Sequence, residues 1–262
     1  MITIQEAIQT IFSAIPGSFT KDTVDTVKAG DPTQPVTGII TTFLASQAVL
    51  EKAVELDANF VITHEPTFYN HLDNVDWLAE DPIYRAKRKL IEDNHLVVWR
   101  FHDNLHSRRP DPTVAGISQA LGWEEYVDQT TPELFHLPPV ALKELRQTVK
   151  SRLGIRILRT IGNPEIICRK VGILVGAWGG INQMTMWRKT DLDVLIVGET
   201  PEWETVEYAR DAMIQGRNKG LIVTGHANSE EPGMHWLVDW LRPKFPGIPI
   251  HHVPVGDPFE FV

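Results

Sequence analysis

Asn59-Phe60-Val61-Ile62-Thr63-His64-Glu65-Pro66-Thr67-Phe68-Tyr69-Asn70-His71 is the stretch whose reading decides the fold. Phe60 to Thr63 is an apolar, β-branched run that halts on His64-Glu65, and Pro66 prevents smooth continuation. The pattern predicts a buried strand delivering two metal-competent side chains at its end. Upstream, Val36-Thr37-Gly38-Ile39-Ile40-Thr41-Thr42 reads as another buried strand, and Ser46 can cap a helix carrying Ala48, Val49, Ala53, Val54 and Leu56. Downstream, a helix over 82–94 leads into a strand over 95–101 that stops on His102-Asp103-Asn104-Leu105-His106. Strand, helix, strand repeated in this way predicts parallel pairing and an α/β fold.

The flanking regions follow the same grammar. Ile4, Ala7, Ile8, Ile11 and Phe12 recur at helical spacing before Pro16-Gly17, and 28–35 reads as a loop. Asp111-Pro112-Thr113 starts a helix that Gly122 closes after Leu121. Beyond 169 the alternation resumes, with strands over 171–176, 193–199 and 220–225, the last ending on His226. A helix is expected over 201–215, and another from near Glu231-Pro232 carrying Met234, Leu237, Val238 and Leu241. Residues 248–253 read as a late or edge strand. The expected organisation is an N-terminal α/β half (1–125), a connector (126–168) with a helix over about 140–153 and a strand over 155–160, and a C-terminal α/β half (169–262). The halves share an outline of three apolar strands alternating with helices, so they read as related.

Composition narrows the function. The 262 residues hold 34 acidic and 25 basic side chains, a formal net charge of -9. That balance argues against a general nucleic-acid-binding surface, which needs phosphate neutralisation. Local exceptions are Arg85-Ala86-Lys87-Arg88-Lys89 and Arg108-Arg109, although such runs are usually solvated helix faces. The single cysteine, Cys168, reads as a small core residue, and one thiol suits a reducing, cytoplasmic setting. The N-terminus shows no basic region followed by an apolar one, and no eighteen consecutive apolar residues occur, so the expectation is a soluble protein without a membrane partner.

In parallel sheets, ligands collect beyond the carboxyl ends of strands. His64, His102, His106 and His226 lie at or just past such ends, each with a carboxylate within a few residues. A mixed imidazole and carboxylate set suits zinc, iron, manganese or nickel better than calcium or magnesium. His64, Glu65, His102, His106, His226 and Glu230 are the candidate ligands. Six exceed what one tetrahedral ion uses, so the expectation is two divalent transition-metal ions, bridged by Glu65 or Glu230. Asp103 is a candidate catalytic base or a group that orients a histidine. Gly176-Ala177-Trp178-Gly179-Gly180 reads as a glycine turn rather than an anion cradle, lacking the phosphate-loop lysine. His235 is a rim candidate, at most one of His251 and His252 can face a shared site, and the C-terminal tryptophans read as core or subunit-interface residues.

Together, Val61-Ile62-Thr63-His64-Glu65-Pro66, His102 to His106 with the helix to Leu121-Gly122, Asp193 to Glu199, and Gly225-His226-Ala227-Asn228-Ser229-Glu230 resemble the NIF-three-like family of NGG-interacting-factor-like dinuclear metal-centre proteins. Some members carry the label GTP cyclohydrolase I type 2. The resemblance covers nearly the whole chain and matches the short form without a central insertion. It implies two related α/β halves with a dinuclear metal site between them, and assembly into a ring-like homo-hexamer. It also implies that His64, His102, His226 and Glu230 are ligands. Two positions depart: Glu65 stands where the family usually has a second histidine, and His106 where it usually has an aspartate. Exchanging nitrogen for oxygen at one and the reverse at the other preserves the ligand inventory, so an altered metal preference is expected, and the cyclohydrolase label is not carried over. Two functions remain open: a metal-dependent hydrolase acting on a small polar substrate (nucleotide, phosphoester or cyclic amide), and a non-catalytic ring-forming scaffold or regulatory binding protein.

Overall fold

Short apolar strands alternating with amphipathic helices build two five-stranded sheets, described by a computed structural model for residues 2–18, 21–260 and 262. The chain divides into two compact units, Met1–Pro112 with Met234–Val262, and Thr113–Gly233.

In the first unit, helix α1 (Ile4–Ser13) starts in a capping box: Thr3 Oγ1 accepts from the Glu6 amide, and the Glu6 carboxylate accepts from the Thr3 amide. Strand β1 (Val27–Ala29) overlaps the stretch expected to be loop. Then come β2 (Ile39–Thr42), α2 (Gln47–Glu55), β3 (Phe60–Thr63), α3 (Pro82–Asp93) and β4 (Val97–Arg100). As expected, Ser46 caps α2, accepting from the Val49 amide. Strands β2, β3 and β4 are parallel, with Ile39 beside Phe60 and Phe60 beside Val97, while β1 adds antiparallel to β4. Every residue of β2, β3 and β4 is buried, because helices cover both faces. Ile39, Phe60, Ile62, Val97 and Trp99 pack with the α1 stripe, and the alternate residues Ile40, Val61 and Val98 pack with Val49, Leu50 and Ala53 of α2 and Ile91 of α3. Each large aliphatic so buried contributes roughly 2 kcal/mol of transfer free energy. After β4 a five-residue helix, α4 (Asp103–Ser107), was not foreseen.

The second unit runs through α5 (Pro112–Leu121, mostly in this unit), β5 (Leu134–Ala141), α6 (Leu142–Arg152), β6 (Arg159–Ile161), β7 (Ile167–Leu174), α7 (Gly180–Thr190), β8 (Val194–Val197), α8 (Glu207–Ile214) and β9 (Gly220–Val223). Its strand order is β5-β7-β8-β9-β6, with β7, β8 and β9 parallel and the two outer strands antiparallel. The expected connector over 126–168 is thus corrected: β5 and β6 are the edges of this sheet. Pro138 and Pro139 hid β5, since proline in a strand reads as a break; here both fall where the pairing register shifts, between His136 and Val140 of an edge strand. Cys168 is fully buried, as expected, and burial pushes its thiol up to about 12.

Helix α9 (His226–Leu241) corrects the expected start near Glu231: it begins at His226 and holds Pro232 in its interior. Gly225, at φ 93°, lets the chain turn directly from β9 into the helix. Its later residues Met234, Leu237 and Leu241 pack in the first unit. Strand β10 (Ile250–His252) then joins β2 as a parallel edge, as the sequence suggested. Among the described residues no helix is long and apolar enough to cross a membrane.

Candidate metal centre

Strands β3 and β4 stop side by side in the first unit, which sets their following residues next to each other. His64 and His102 stack at 4.6 Å between ring centres, and His106, from α4, packs edge-on to both at 4.9 and 4.8 Å. One donor nitrogen from each of the three rings lies within 4.8 Å of the others. Glu65 is close by, its Oε1 3.7 Å from His102 Nε2.

The rings are held from behind. His64 Nδ1 donates to the Phe101 carbonyl at 3.2 Å, His102 Nδ1 to Asp103 Oδ1 at 2.9 Å, and His106 Nδ1 to Asp111 Oδ2 at 2.9 Å. Carbonyls and carboxylates only accept, so each Nδ1 carries a proton, and Nε2 is the nitrogen left to offer a lone pair when the ring binds a metal. Anchoring of one imidazole nitrogen by a backbone or carboxylate oxygen is the arrangement that orients metal-binding histidines. Burial, with the neighbouring imidazoles adding to it, lowers the His102 pKa to about 4, keeping it neutral near pH 7 as a ligand must be. The residues present therefore fit a nitrogen-rich divalent metal site.

Three residues that the sequence pattern did not single out build this arrangement. Asp25, almost fully buried, accepts from the amides of His102, Asp103 and Asn104 at 2.7 to 2.9 Å and from Asn104 Nδ2 at 2.8 Å. It therefore caps α4 from 77 to 79 residues away, a partnership that no local signal announces. Arg100, fully buried, donates through Nε to the His64 carbonyl at 3.1 Å, through Nη1 to the His71 carbonyl, and through Nη2 to Glu65 Oε2 at 3.4 Å. Its charge is further matched by Asp73 at 4.0 Å. Asp111, which the sequence marks only as a helix start, is the third, accepting from His106 Nδ1.

Asp103 is fully engaged: Oδ1 accepts from His102, and Oδ2 from Thr23 Oγ1 at 2.8 Å and the Val24 amide at 3.1 Å. Burial opposes its ionisation, but these hydrogen bonds prevail and hold its pKa at about 2.

In the second unit, His226 and Glu230 are one helical turn apart at the start of α9, with His226 Nε2 3.0 Å from Glu230 Oε2. Glu199, just after β8, stands 3.5 Å from His226 Nδ1. The Gly176 turn, at φ 65°, passes against both residues: a Cβ there would sit 2.3 Å from Glu230 Oε1 and 3.2 Å from His226 Nε2. Ser229 locks the turn by accepting from the Gly176 amide at 2.9 Å. The glycine-turn reading of 176–180 holds, since the Gly180 amide is taken by Glu204 Oε2 at 3.0 Å. His252 packs edge-on to His235 at 5.3 Å and its Nδ1 donates to the Thr41 carbonyl at 3.2 Å. Of the tryptophans, Trp187 is core, whereas Trp178 and Trp203 are exposed. The basic run on α3 is neutralised by Glu80, Glu92 and Asp93, apart from Lys87, which is buried.

A mixed α/β protein of two mostly parallel sheets, with an imidazole-rich cluster at its strand ends, is the class so defined. The chain belongs to the Duf34/NIF3 (NGG1p interacting factor 3) family, whose profile matches residues 3–256. It is 27% identical over 219 residues to the "GTP cyclohydrolase 1 type 2 homolog" of Escherichia coli K12, covering 80% of this chain and 81% of that one. The "Bacillus cereus protein related to NIF3" shares the fold with a TM-score of 0.78 at 16% identity, covering 100% of this chain and 99% of that one. Staphylococcus aureus protein SA1388 does so with a TM-score of 0.77 at 17% identity, again covering 100% and 99%.

Proposed function

We propose that this protein binds two divalent transition-metal ions through His64, Glu65, His102, His106, His226 and Glu230, and that it is a metal-dependent hydrolase of a small polar substrate. The observation that carries the reading is the common orientation of three imidazoles, each with Nδ1 anchored on an acceptor so that Nε2 is the nitrogen left for a metal. Zinc, iron, manganese or nickel held there would polarise a substrate oxygen and make a water more acidic. The chain's own residues supply orientation. Asp103, held anionic, is a positioning residue for His102 rather than a base, because both its oxygens already accept hydrogen bonds. Arg100 holds one Glu65 oxygen and leaves the other directed toward His102. The exchange of ligand types at Glu65 and His106 supports a metal preference different from that of relatives with the usual pattern. Assembly into a homo-hexamer belongs to the same reading and rests on the family resemblance.

The test is metal analysis of protein purified without chelator, followed by assay against nucleotides, other phosphoesters and cyclic amides. Two equivalents of metal and turnover of one substrate class are expected, with His102→Ala and His226→Ala each losing metal and activity. Protein that retains metal but turns over none of the substrates would overturn the hydrolase assignment, and metal content unchanged in both variants would overturn the ligand set.

A further inference from the structure

The guanidinium of Arg108 lies between two indoles of α9, its Cζ 4.6 Å from the Trp236 ring centre and 5.1 Å from that of Trp240. The rings are four residues apart and so share one helix face. Against the same Trp240, Lys244 Nζ sits 3.6 Å from the ring centre and donates to the Trp240 carbonyl at 2.8 Å. Two cations thus share one indole. Among the described residues neither pairs with a carboxylate, and Arg108 Nη1, shut off from solvent, has no hydrogen-bond partner. Arg109 adds a third positive charge, whose donors among the described residues reach the His106 and Arg108 carbonyls.

Arg242, close by in sequence, is paired with Asp239, and the basic residues exposed on α3 each have a carboxylate. The ammonium of Lys244 is correspondingly disfavoured, by burial and then by the charge of Arg108. Indole faces stabilise cations without consuming their N–H donors. Both side chains are part-exposed, and Lys244 spends only one of its three N–H groups on the Trp240 carbonyl, so the pair keeps its charge and its remaining exposed donors for an anion. A dianion matches two cations, and a tetrahedral phosphoryl group offers the paired oxygens that a planar guanidinium engages edge-on.

We infer that Arg108 and Lys244, walled by Trp236 and Trp240, bind the phosphoryl group of a small phosphorylated molecule. Arg108 follows α4 directly and is two residues beyond His106. Its backbone is therefore within roughly 7 Å of that of His106. A ligand anchored here by its phosphate can extend toward the imidazole cluster. The anion site itself needs no metal, so it stands or falls separately from the hydrolase reading.

The test uses chelator-treated full-length protein titrated with inorganic phosphate, which removes metal as a competing phosphate ligand. Calorimetry and tryptophan fluorescence should both report saturable binding, because the bound anion changes the charges lying on Trp236 and Trp240. Arg108→Gln with Lys244→Gln should weaken it at least about tenfold, the loss expected for one or two charge-assisted contacts. Lys244→Gln alone should weaken it several-fold, and Arg108→Lys should retain part of it. Phosphate should raise the melting temperature of the wild type but not of the double variant, an outcome that a purely structural stacking role would not produce. Absence of saturation, or equal affinity in the wild type and Lys244→Gln protein, would overturn the inference. So would duplex DNA binding through these residues without phosphate binding.

Discussion

The two sheets finish their parallel strands in contrasting ways. In the first unit β3 and β4 run out into donors, His64 with Glu65 and His102, so the strand ends themselves present the chemistry. In the second, β7, β8 and β9 are each followed within two residues by glycine, Gly176, Gly198 and Gly225, and the donors His226 and Glu230 come from the helix instead. The glycines make room: a Cβ on Gly198 would fall 2.6 Å from the Gly176 backbone and from Ser229 Oγ. A strand end can either carry a functional side chain or be pared back so that a neighbouring element fills the space. The first solution needs an external clamp on the loops, supplied by Asp25 and Arg100, whereas the second needs close backbone approach.

Breaking the clamp should cost most. Asp25→Ala strands three backbone amides in a buried site, and a loss of about 4 kcal/mol in unfolding free energy is expected by urea titration, together with loss of bound metal. Closing the gap in the second unit comes next. Gly176→Ala combines a positive φ with a Cβ that collides with Glu230, so about 3 kcal/mol is expected, with Gly176→Ser no better.

A smaller effect sharpens the contrast through pH. Burial lowers the Lys87 pKa to about 8 in the first unit, from 10.5, while burial raises the Cys168 pKa to about 12 in the second, from 9.0. Between pH 8 and 10.5 the unfolded chain keeps a proton that folded Lys87 has released, so this contribution to stability rises with pH. Between pH 9 and 12 folded Cys168 keeps a proton that the unfolded chain has lost, so that contribution falls. At pH 10 the two amount to about 2 kcal/mol gained and about 1 kcal/mol lost, relative to pH 7. Lys87→Met should abolish the rise, and Cys168→Ala should abolish the fall, in denaturation midpoints measured across that range.

Much of the architecture was legible because its signals are local. The run Phe60 to Thr63 with its polar stop, Ser46 as a cap, and Ile250 to His252 as an edge strand all depend on neighbours a few residues away. Strand β5 escaped because two prolines imitate a break, and the start of α9 because Pro232 imitates a first turn when it in fact lies mid-helix. Helix α4 escaped because five residues carry too little periodicity to read, and its cap, Asp25, is remote in sequence.

The candidate donors themselves were determined by sequence alone: His64, Glu65, His102, His106, His226 and Glu230 stand out because imidazoles and carboxylates at the ends of apolar runs have few structural uses. Only the tertiary structure decided which way the imidazoles face. That choice rests on the Phe101 carbonyl, Asp103 and Asp111 accepting each Nδ1 proton, and on Asp25 and Arg100 gripping the loops. A hydrogen bond is set by distance and angle in space, and several of these partners lie tens of residues away from the groups they hold.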